Sequence, residues 1–397
     1  MTRCYSMVRL GDLVSIVMGQ APSSKDTNFE GRGEPFVKVG EFGALRPLIR
    51  EWTTNPLKRA VKTDVLLCVV GATCGKVNLG EDCAIGRSVA ALRPNRTKLD
   101  QFFLHYFMLT LVQHLRSGSV GAAQTVISKE MIQTLRIPLV SLEKQQRIVA
   151  ILDEAFDGIA TAKANAEKNL QNARTLVSTG YQAITEGYDR SQWPIVQVAN
   201  LAASHKGSMR TGPFGSQLLH SEFVDEGIAV LGIDNAVANE FRWDRRRYIT
   251  EEKYRQLARY RVLPGDVLIT IMGTCGRCAV VPDDIPQAIN TKHLCCITLD
   301  RGKCQPEFLH TYFLHDPTAR DYLSAQAKGS IMAGLNMGII SELPVRLPSL
   351  QQQVQIVDRF DSLRAECLRL EAVQAQKLAA LDELKKSLLH RAFNGDL

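Results

Sequence analysis

The side chains best equipped for chemistry in this chain are clustered arginines, glycine-punctuated turns and ten cysteines. Phe241-Arg-Trp-Asp-Arg-Arg-Arg-Tyr248 interleaves aromatic rings with Arg242, Arg245, Arg246 and Arg247 and ends on Tyr248. Residues 242–261 hold eight basic and three acidic side chains. Guanidinium groups grip phosphates and read guanine edges bidentately, so the cluster fits DNA contact. The competing reading is a solvated charged face. A second basic set, Lys25, Arg32, Lys38, Arg46, Arg50, Lys58, Arg59 and Lys62, falls on loop-like sequence and carries the same expectation. Met209-Arg-Thr-Gly-Pro-Phe-Gly-Ser216 is a glycine-rich loop whose Arg210 and Thr211 fit either a structural turn or a DNA-facing one.

Catalytic patterns are weaker. Phe29-Glu-Gly-Arg-Gly33 matches the F-x-G-x-G loop of nucleotide-cofactor methyltransferases, but no strand–helix frame surrounds it. No Asn-Pro-Pro-aromatic tetrapeptide follows; Asn55-Pro56-Leu57 lacks the second proline. Gly71-Ala-Thr-Cys-Gly-Lys76 is one residue short of a phosphate loop, and Val77 stands where a magnesium-binding hydroxyl belongs, so a tight turn is expected. Cys275-x-x-Cys278 with Cys295-Cys296 raises zinc. Adjacent strand cysteines point to opposite faces, however, which argues against a tetrahedral site. The eight histidines show no metal-protease spacing, and His105 and His310 read as packing or capping residues. No catalytic residue, metal or cofactor is assigned to the chain. With no export signal visible at the N-terminus, the cysteines read as buried or reduced thiols of a cytoplasmic protein.

The elements that position these residues are duplicated. Asp64-Val-Leu-Leu recurs as Asp266-Val-Leu-Ile, and Thr73-Cys-Gly-Lys as Thr274-Cys-Gly-Arg. Ala84-Ile85 recurs as Ala288-Ile289, and Phe103-Leu-His-Tyr-Phe as Phe308-Leu-His-Thr-Tyr-Phe. Gly118-Ser119 recurs as Gly329-Ser330. Ser141-Leu142, Gln145 and Ile148-Val149 recur as Ser349-Leu350, Gln353 and Ile356-Val357. Six matches in one order make a duplicated unit of about half the chain. Within each unit, 65–70 and 267–272 read as buried strands, Gly71, Gly75, Gly273 and Gly276 as turn residues, and 102–115 and 308–323 as helices.

Each unit closes with a long proline-free stretch. Ile148, Leu152, Ile159, Leu170 and Val177 recur at the helix period in the first; Val357, Phe360, Leu370, Leu381 and Leu388 do so in the second. These stripes are expected to pair. A 40-residue helix would run roughly 60 Å. Ser141 and Ser349, after prolines 138 and 348, are the expected caps. Connectivity favours antiparallel pairing, although periodicity leaves parallel packing open.

The expected organisation is therefore α+β: a mixed α/β globular domain (1–140), a long spacer helix (141–187), a second globular domain (188–348) and a second long helix (349–397). The net charge of +7 sits in the first domain, with 18 Lys and Arg against 11 Asp and Glu; the second domain has 18 against 17. The excess points to an anionic partner. No run of about 18 apolar residues is present, so no membrane span or membrane partner is expected.

Two similar halves, each a globule followed by a long helix, closely resemble the specificity subunit of type I restriction-modification systems. The resemblance covers nearly the whole chain. Its carriers are Asp266-Val-Leu-Ile with the Gly-Thr-Cys-Gly turn; Thr211-Gly-Pro-Phe-Gly-Ser-Gln-Leu218; the boundaries at Ile137-Pro138 and Leu347-Pro348; and the ending Leu381-Asp-Glu-Leu-Lys-Lys-Ser-Leu-Leu-His-Arg-Ala-Phe-Asn-Gly-Asp396. The resemblance implies two target-recognition domains separated by two antiparallel helices in a pseudo-twofold repeat. Each domain would read one half of a bipartite, gapped sequence in double-stranded DNA. The helices would dock two methyltransferase subunits, which carry S-adenosylmethionine and methylate adenine N6, and a motor-nuclease restriction subunit can join. The chain itself would bind no cofactor and catalyse nothing. The alternatives are a self-contained DNA methyltransferase and a coiled-coil protein-interaction scaffold.

Overall fold

The computed structural model describes residues 5–71, 73–117, 126–327 and 335–397. The chain divides into two compact units, Met1–Lys168 with Gln374–Leu397, and Asn169–Val373. The repeated Gly-Ser pairs at 118–119 and 329–330 lie outside the described residues.

In the first unit, strand Val65–Cys68 is a four-residue apolar run, and both its faces are covered. Alternation sends Val65 and Leu67 into one core and Leu66 into another. The strand is central in an antiparallel sheet ordered Val14–Met18, Val89–Pro94, Val65–Cys68, Val77–Leu79. A second sheet runs Thr27–Asn28, Trp52–Thr53, Glu34–Val37, Cys83–Ile85, Arg59–Ala60, with Glu34–Val37 and Cys83–Ile85 parallel. Ser6–Arg9 pairs with Arg136–Leu139.

The second unit repeats this plan. Val267 and Ile269 face one core and Leu268 the other. The sheet order is Met209–Thr211, Leu294–Ile297, Val267–Thr270, Cys278–Val280. The second sheet is ordered Tyr248–Ile249, Ile228–Leu231, Ala288–Asn290, Arg261–Val262, again with one parallel pair. Ile195–Gln197 pairs with Pro344–Arg346. The two mixed α/β units are thus an internal pseudo-symmetric repeat.

The repeated apolar helices are shorter than expected. Each of the two expected spans holds two helices: Gln101–Thr110 and Val112–Ser117 in one, Pro306–His315 and Pro317–Ala327 in the other. In the second, Pro317 cannot continue the hydrogen-bond ladder and starts a new helix instead.

The long helices are Leu142–Glu186 and Leu350–Asn394. Ser141 Oγ accepts from Lys144 N and Ser349 Oγ from Gln352 N, each at 3.3 Å, so both capping expectations describe the local geometry. In the first unit the helices run antiparallel: Lys163 pairs with Asp382 at 2.5 Å, Lys385 lies 4.7 Å over Phe156, and Phe393 reaches Phe103 at 5.0 Å. In the second unit Arg174 meets Glu371 at 3.5 Å and Tyr181 packs on Phe360, again antiparallel. Gly180 sits where a Cβ would lie 2.2 Å from Leu363 Cδ2.

Ile148, Leu152, Ile159, Val357 and Phe360 are buried, and Leu170, Val177, Leu381 and Leu388 are half-buried. Leu370 is a correction: it is 46% exposed and lies off the pairing stripe. No helix among the described residues is long and apolar enough to cross a membrane.

Candidate nucleic-acid interface

In each unit, loops leaving the strand ends meet at one edge. In the first, Gly19 N donates to Val89 O at 2.8 Å, Gly86 N to Val37 O at 2.9 Å, and Val39 N to Ser88 Oγ at 3.3 Å. These bonds bring together the loops beginning at 19, 38 and 86. In the second unit Gly212 N donates to Thr291 O at 3.2 Å and Thr291 N to Leu231 O at 2.9 Å, joining the loops beginning at 212, 232 and 291. The approach is close enough to require glycine. A Cβ on Gly212 would stand 2.1 Å from Asn290 O, and one on Gly19 2.2 Å from Gly86 O.

The loop after the parallel strand has the same start in both units. Lys38 N donates to Glu41 Oε2 and Gly232 N to Asn235 Oδ1, both at 2.9 Å. It carries Lys38, Arg46 and Arg50 in one unit and Arg242, Arg245, Arg246 and Arg247 in the other. Three residues of the first basic set, Lys38, Arg46 and Arg50, thus occupy the topological position of the second cluster, whereas Lys25, Arg32, Lys58, Arg59 and Lys62 lie outside that loop.

Their side chains differ in availability. Arg245 is exposed, and Arg246 is exposed with its guanidinium 5.7 Å over Trp243. Arg247 is ion-paired with Asp234, and Arg242 with Glu240, whose other oxygen is 3.6 Å from Arg364. Tyr248 is half-buried against the core. In the first unit Lys25 and Lys58 are exposed. Arg32 pairs with Glu30 at 2.9 Å, Lys38 pairs with Glu51, and Arg46 binds Gly80 O and approaches Glu81 at 3.9 Å. Arg59 makes a two-pronged bond to Glu34 at 2.9 Å, which lowers the Glu34 carboxyl below its ordinary range.

Arg210 is a correction. It is 7% exposed, inside the second unit, and its guanidinium is consumed by Asp266, Thr298 and backbone carbonyls. Its charge is matched inside the unit and is not free to meet DNA. Thr211 is half-buried in the strand. Two basic residues of the same edges were not singled out in the sequence, exposed Arg87 and half-buried Lys292. Each follows a repeated Ala-Ile pair, Arg87 two residues after Ile85 and Lys292 three after Ile289, and that repeat was the available signal. Burial, then the cations Lys292 and Arg247, hold the nearby His293 below its ordinary range.

The catalytic-looking motifs resolve into turns and core. Gly31 and Gly33 have φ of 82° and 91°, and the Phe29 turn leads into strand Glu34–Val37. A cofactor loop would need a helix there. Gly71 and Thr73 to Lys76, the described residues of the second motif, lie between antiparallel strands. Cys295 and Cys296 face different cores, and burial pushes the Cys295 thiol up to about 12. Among the described residues no group of His, Cys, Asp and Glu is arranged to hold a metal.

A family model described as type I restriction modification DNA specificity domain matches residues 4–171 and 238–380. The chain belongs to that family. It is homologous to the specificity subunits of type I restriction-modification systems, which are non-catalytic. A stretch of 174 residues is 32% identical to the putative type I restriction enzyme MjaX specificity subunit of Methanocaldococcus jannaschii, spanning 43% of this chain and 40% of that one. The MjaVIII specificity subunit of the same organism is 20% identical over 410 residues, 99% of this chain and 93% of that one. The HsdS subunit from Thermoanaerobacter tengcongensis has the same fold, with a TM-score of 0.68 and 18% identity, covering 100% of this chain and 98% of that one. The family match takes in all three strand-end loops of the first unit, and in the second unit the arginines at 242–247 and the loop beginning at 291.

Proposed function

We propose that the chain selects the DNA target of a type I restriction-modification complex. Each unit reads one half of a bipartite, gapped sequence through its strand-end loops, and the long helices dock two methyltransferase subunits. Those subunits supply S-adenosylmethionine and methylate adenine N6, reached by base flipping. A motor-nuclease subunit joins where the system retains one.

The observation that carries this reading is the repetition of one strand frame with different loops. The sheet order, the parallel pair and the capped start of the basic loop are shared. The loop sequences are not. Phe42-Gly-Ala-Leu-Arg46 stands in one unit and Phe241-Arg-Trp-Asp-Arg245 in the other. A common frame presents both readers to DNA in the same way, and loop side chains set the bases. Two readers on one chain gain effective concentration once the first half-site is held.

Exposed apolar side chains on the long helices support the docking part. Leu370 and Val373 are 46% and 49% exposed and share a helix face three residues apart.

Genome-wide N6-methyladenine mapping, with the partner methyltransferase expressed and this gene present or deleted, tests the reading. A gapped two-part motif that vanishes with the gene is the expected result. An unchanged map would overturn it.

A further inference from the structure

The second unit contains an open cleft of about 550 Å³ whose lining includes His205, Lys206, Arg210, Arg259, Tyr260 and Arg261. No carboxylate lines it among the described residues. We infer that this cleft is a phosphate site that grips the DNA backbone beside the half-target read by the second unit, an inference that rests on the function proposed above.

Three features make it a built site rather than a scatter of surface charge. Arg259 is held in place: its guanidinium lies 4.6 Å over the Tyr260 ring and donates to Tyr260 Oη at 2.6 Å. Tyr260 Oη in turn donates to Gln217 Oε1 at 2.8 Å, which ties the cleft to the Gly212 loop of the candidate interface. Arg210 forms the inner wall with its charge already matched by Asp266, so the cations left to meet an anion are Lys206, Arg259 and Arg261, all exposed. A planar, pre-oriented guanidinium beside a lysine suits phosphate oxygens.

The cleft belongs to the second unit alone in its construction. The short helical turn Val198–Asn200 is separated from strand Met209–Thr211 by 201–208. In the first unit the turn Leu10–Asp12 is followed by a strand that begins at Val14. The other wall comes from the turn Ala258–Tyr260, which follows the helix Glu251–Leu257. The first unit spans the interval between Trp52–Thr53 and Arg59–Ala60 without a helix. These additions place clustered cations in a unit whose stretch 188–348 holds 18 Lys and Arg against 17 Asp and Glu. The local cleft thus supplies phosphate grip that the unit's overall charge does not.

The test uses the full chain with its methyltransferase partner on a duplex carrying the mapped target. Lys206→Ala combined with Arg259→Ala should flatten the salt dependence of binding by about one slope unit for each phosphate no longer neutralised, while the methylated sequence stays the same. Arg261→Ala should act in the same direction, and Arg259→Lys should restore part of the slope. Thermal melts at the wild-type temperature establish that each variant folds. A wild-type slope in the folded double variant, with Arg245→Ala still weakening binding, would overturn the phosphate site and leave the specificity reading intact. No duplex binding by the wild-type complex would overturn both. Inorganic phosphate and ATP are titrated into the chain as separate arms; saturation by either at concentrations that leave duplex binding untouched would assign the cleft to a free anion and overturn the DNA assignment.

Discussion

Asp266 and Arg210 form an ion pair sealed inside the second unit, 1% and 7% exposed. Asp64 stands at the same place in the first unit, at the head of the duplicated Asp-Val-Leu-Leu strand, and its partner is Arg93 at 2.9 Å. The acid caps the same turn in both: Val61 N donates to Asp64 and Leu263 N to Asp266. The arginine comes from different strands, Val89–Pro94 in one unit and Met209–Thr211 in the other. Thr298 fills the space where the first unit has its arginine, and it donates to Asp266 at 2.6 Å. The duplication has kept the buried charge and let its neutralising partner move.

That difference sets the cost of removing each arginine. Arg210→Ala leaves Asp266 buried without a cation and should destabilise the second unit by about 3–5 kcal/mol. Arg93 is 40% exposed, so water can solvate Asp64 once Arg93 is gone, and Arg93→Ala should cost less. Urea unfolding of the two variants measures this. Equal losses would contradict the burial argument.

A duplicated amide clamp gives a second expectation. Gln145 is fully buried; its Oε1 accepts from Asp100 N and its Nε2 donates to Lys98 O and Val140 O, all at 2.8 Å. Gln353 does the same with Gln305 N, Lys303 O and Pro348 O. Each clamp fastens the start of a long helix to its globule. Gln145→Leu or Gln353→Leu strands three backbone groups at least partly shielded from water, at up to roughly 1–3 kcal/mol apiece, offset in part by added apolar burial. Thermal denaturation should show a marked loss for both, and Gln→Glu should also destabilise, because a carboxylate cannot donate to the two carbonyls. A neutral Gln353→Leu would remove the clamp from the account.

Stability should also fall in mild acid. Burial, with nearby Lys385 and Arg46, pushes the His105 imidazole down to about 4; burial, with His310, Arg364 and Arg320, does the same to His315. In the unfolded chain both titrate near ~6.5. Below that value the unfolded chain holds more protons than the folded one. Stability is therefore full above pH ~6.5 and is lost as pH falls toward 4, by up to about 1.4 kcal/mol per pH unit for each histidine. Melting temperatures between pH 7.5 and 4.5 follow this. His105→Gln should shallow the slope, and an unchanged slope would exclude that histidine as a source.

Much of the frame was legible because it obeys short-range rules. The long helices announce themselves by period, by absent proline and by Ser141 and Ser349. Val65 to Cys68 reads as a strand because both of its faces are buried, leaving nothing polar in the run. What escaped was set by distant partners. Arg210 sits in a three-residue strand, and only its pairing with Cys296 turns it inward toward Asp266. No local pattern carries that register. The pairing of Arg247 with Asp234, or of Arg59 with Glu34, depends on loop paths that periodicity does not reach. The Asp316-Pro317 break was readable and marks where an apolar run outweighed a proline.

The two long helices carry two kinds of apolar residue that look alike in the sequence. Leu152 is fully buried in the core of the first unit, whereas Leu370 and Val373 face solvent in the second. Leu152→Asp places a charge among apolar side chains and should lower the melting temperature sharply, since an unpaired buried carboxylate is costly. Leu370→Asp and Val373→Asp, at half-exposed positions, remove little internal packing and should melt within about 0.5 kcal/mol of wild type. If these residues meet the methyltransferase subunits, the same two variants should release the partner in a co-purification assay while still binding DNA. Retention of the partner by the doubly substituted chain, with melting unchanged, would place the docking surface elsewhere on the helices.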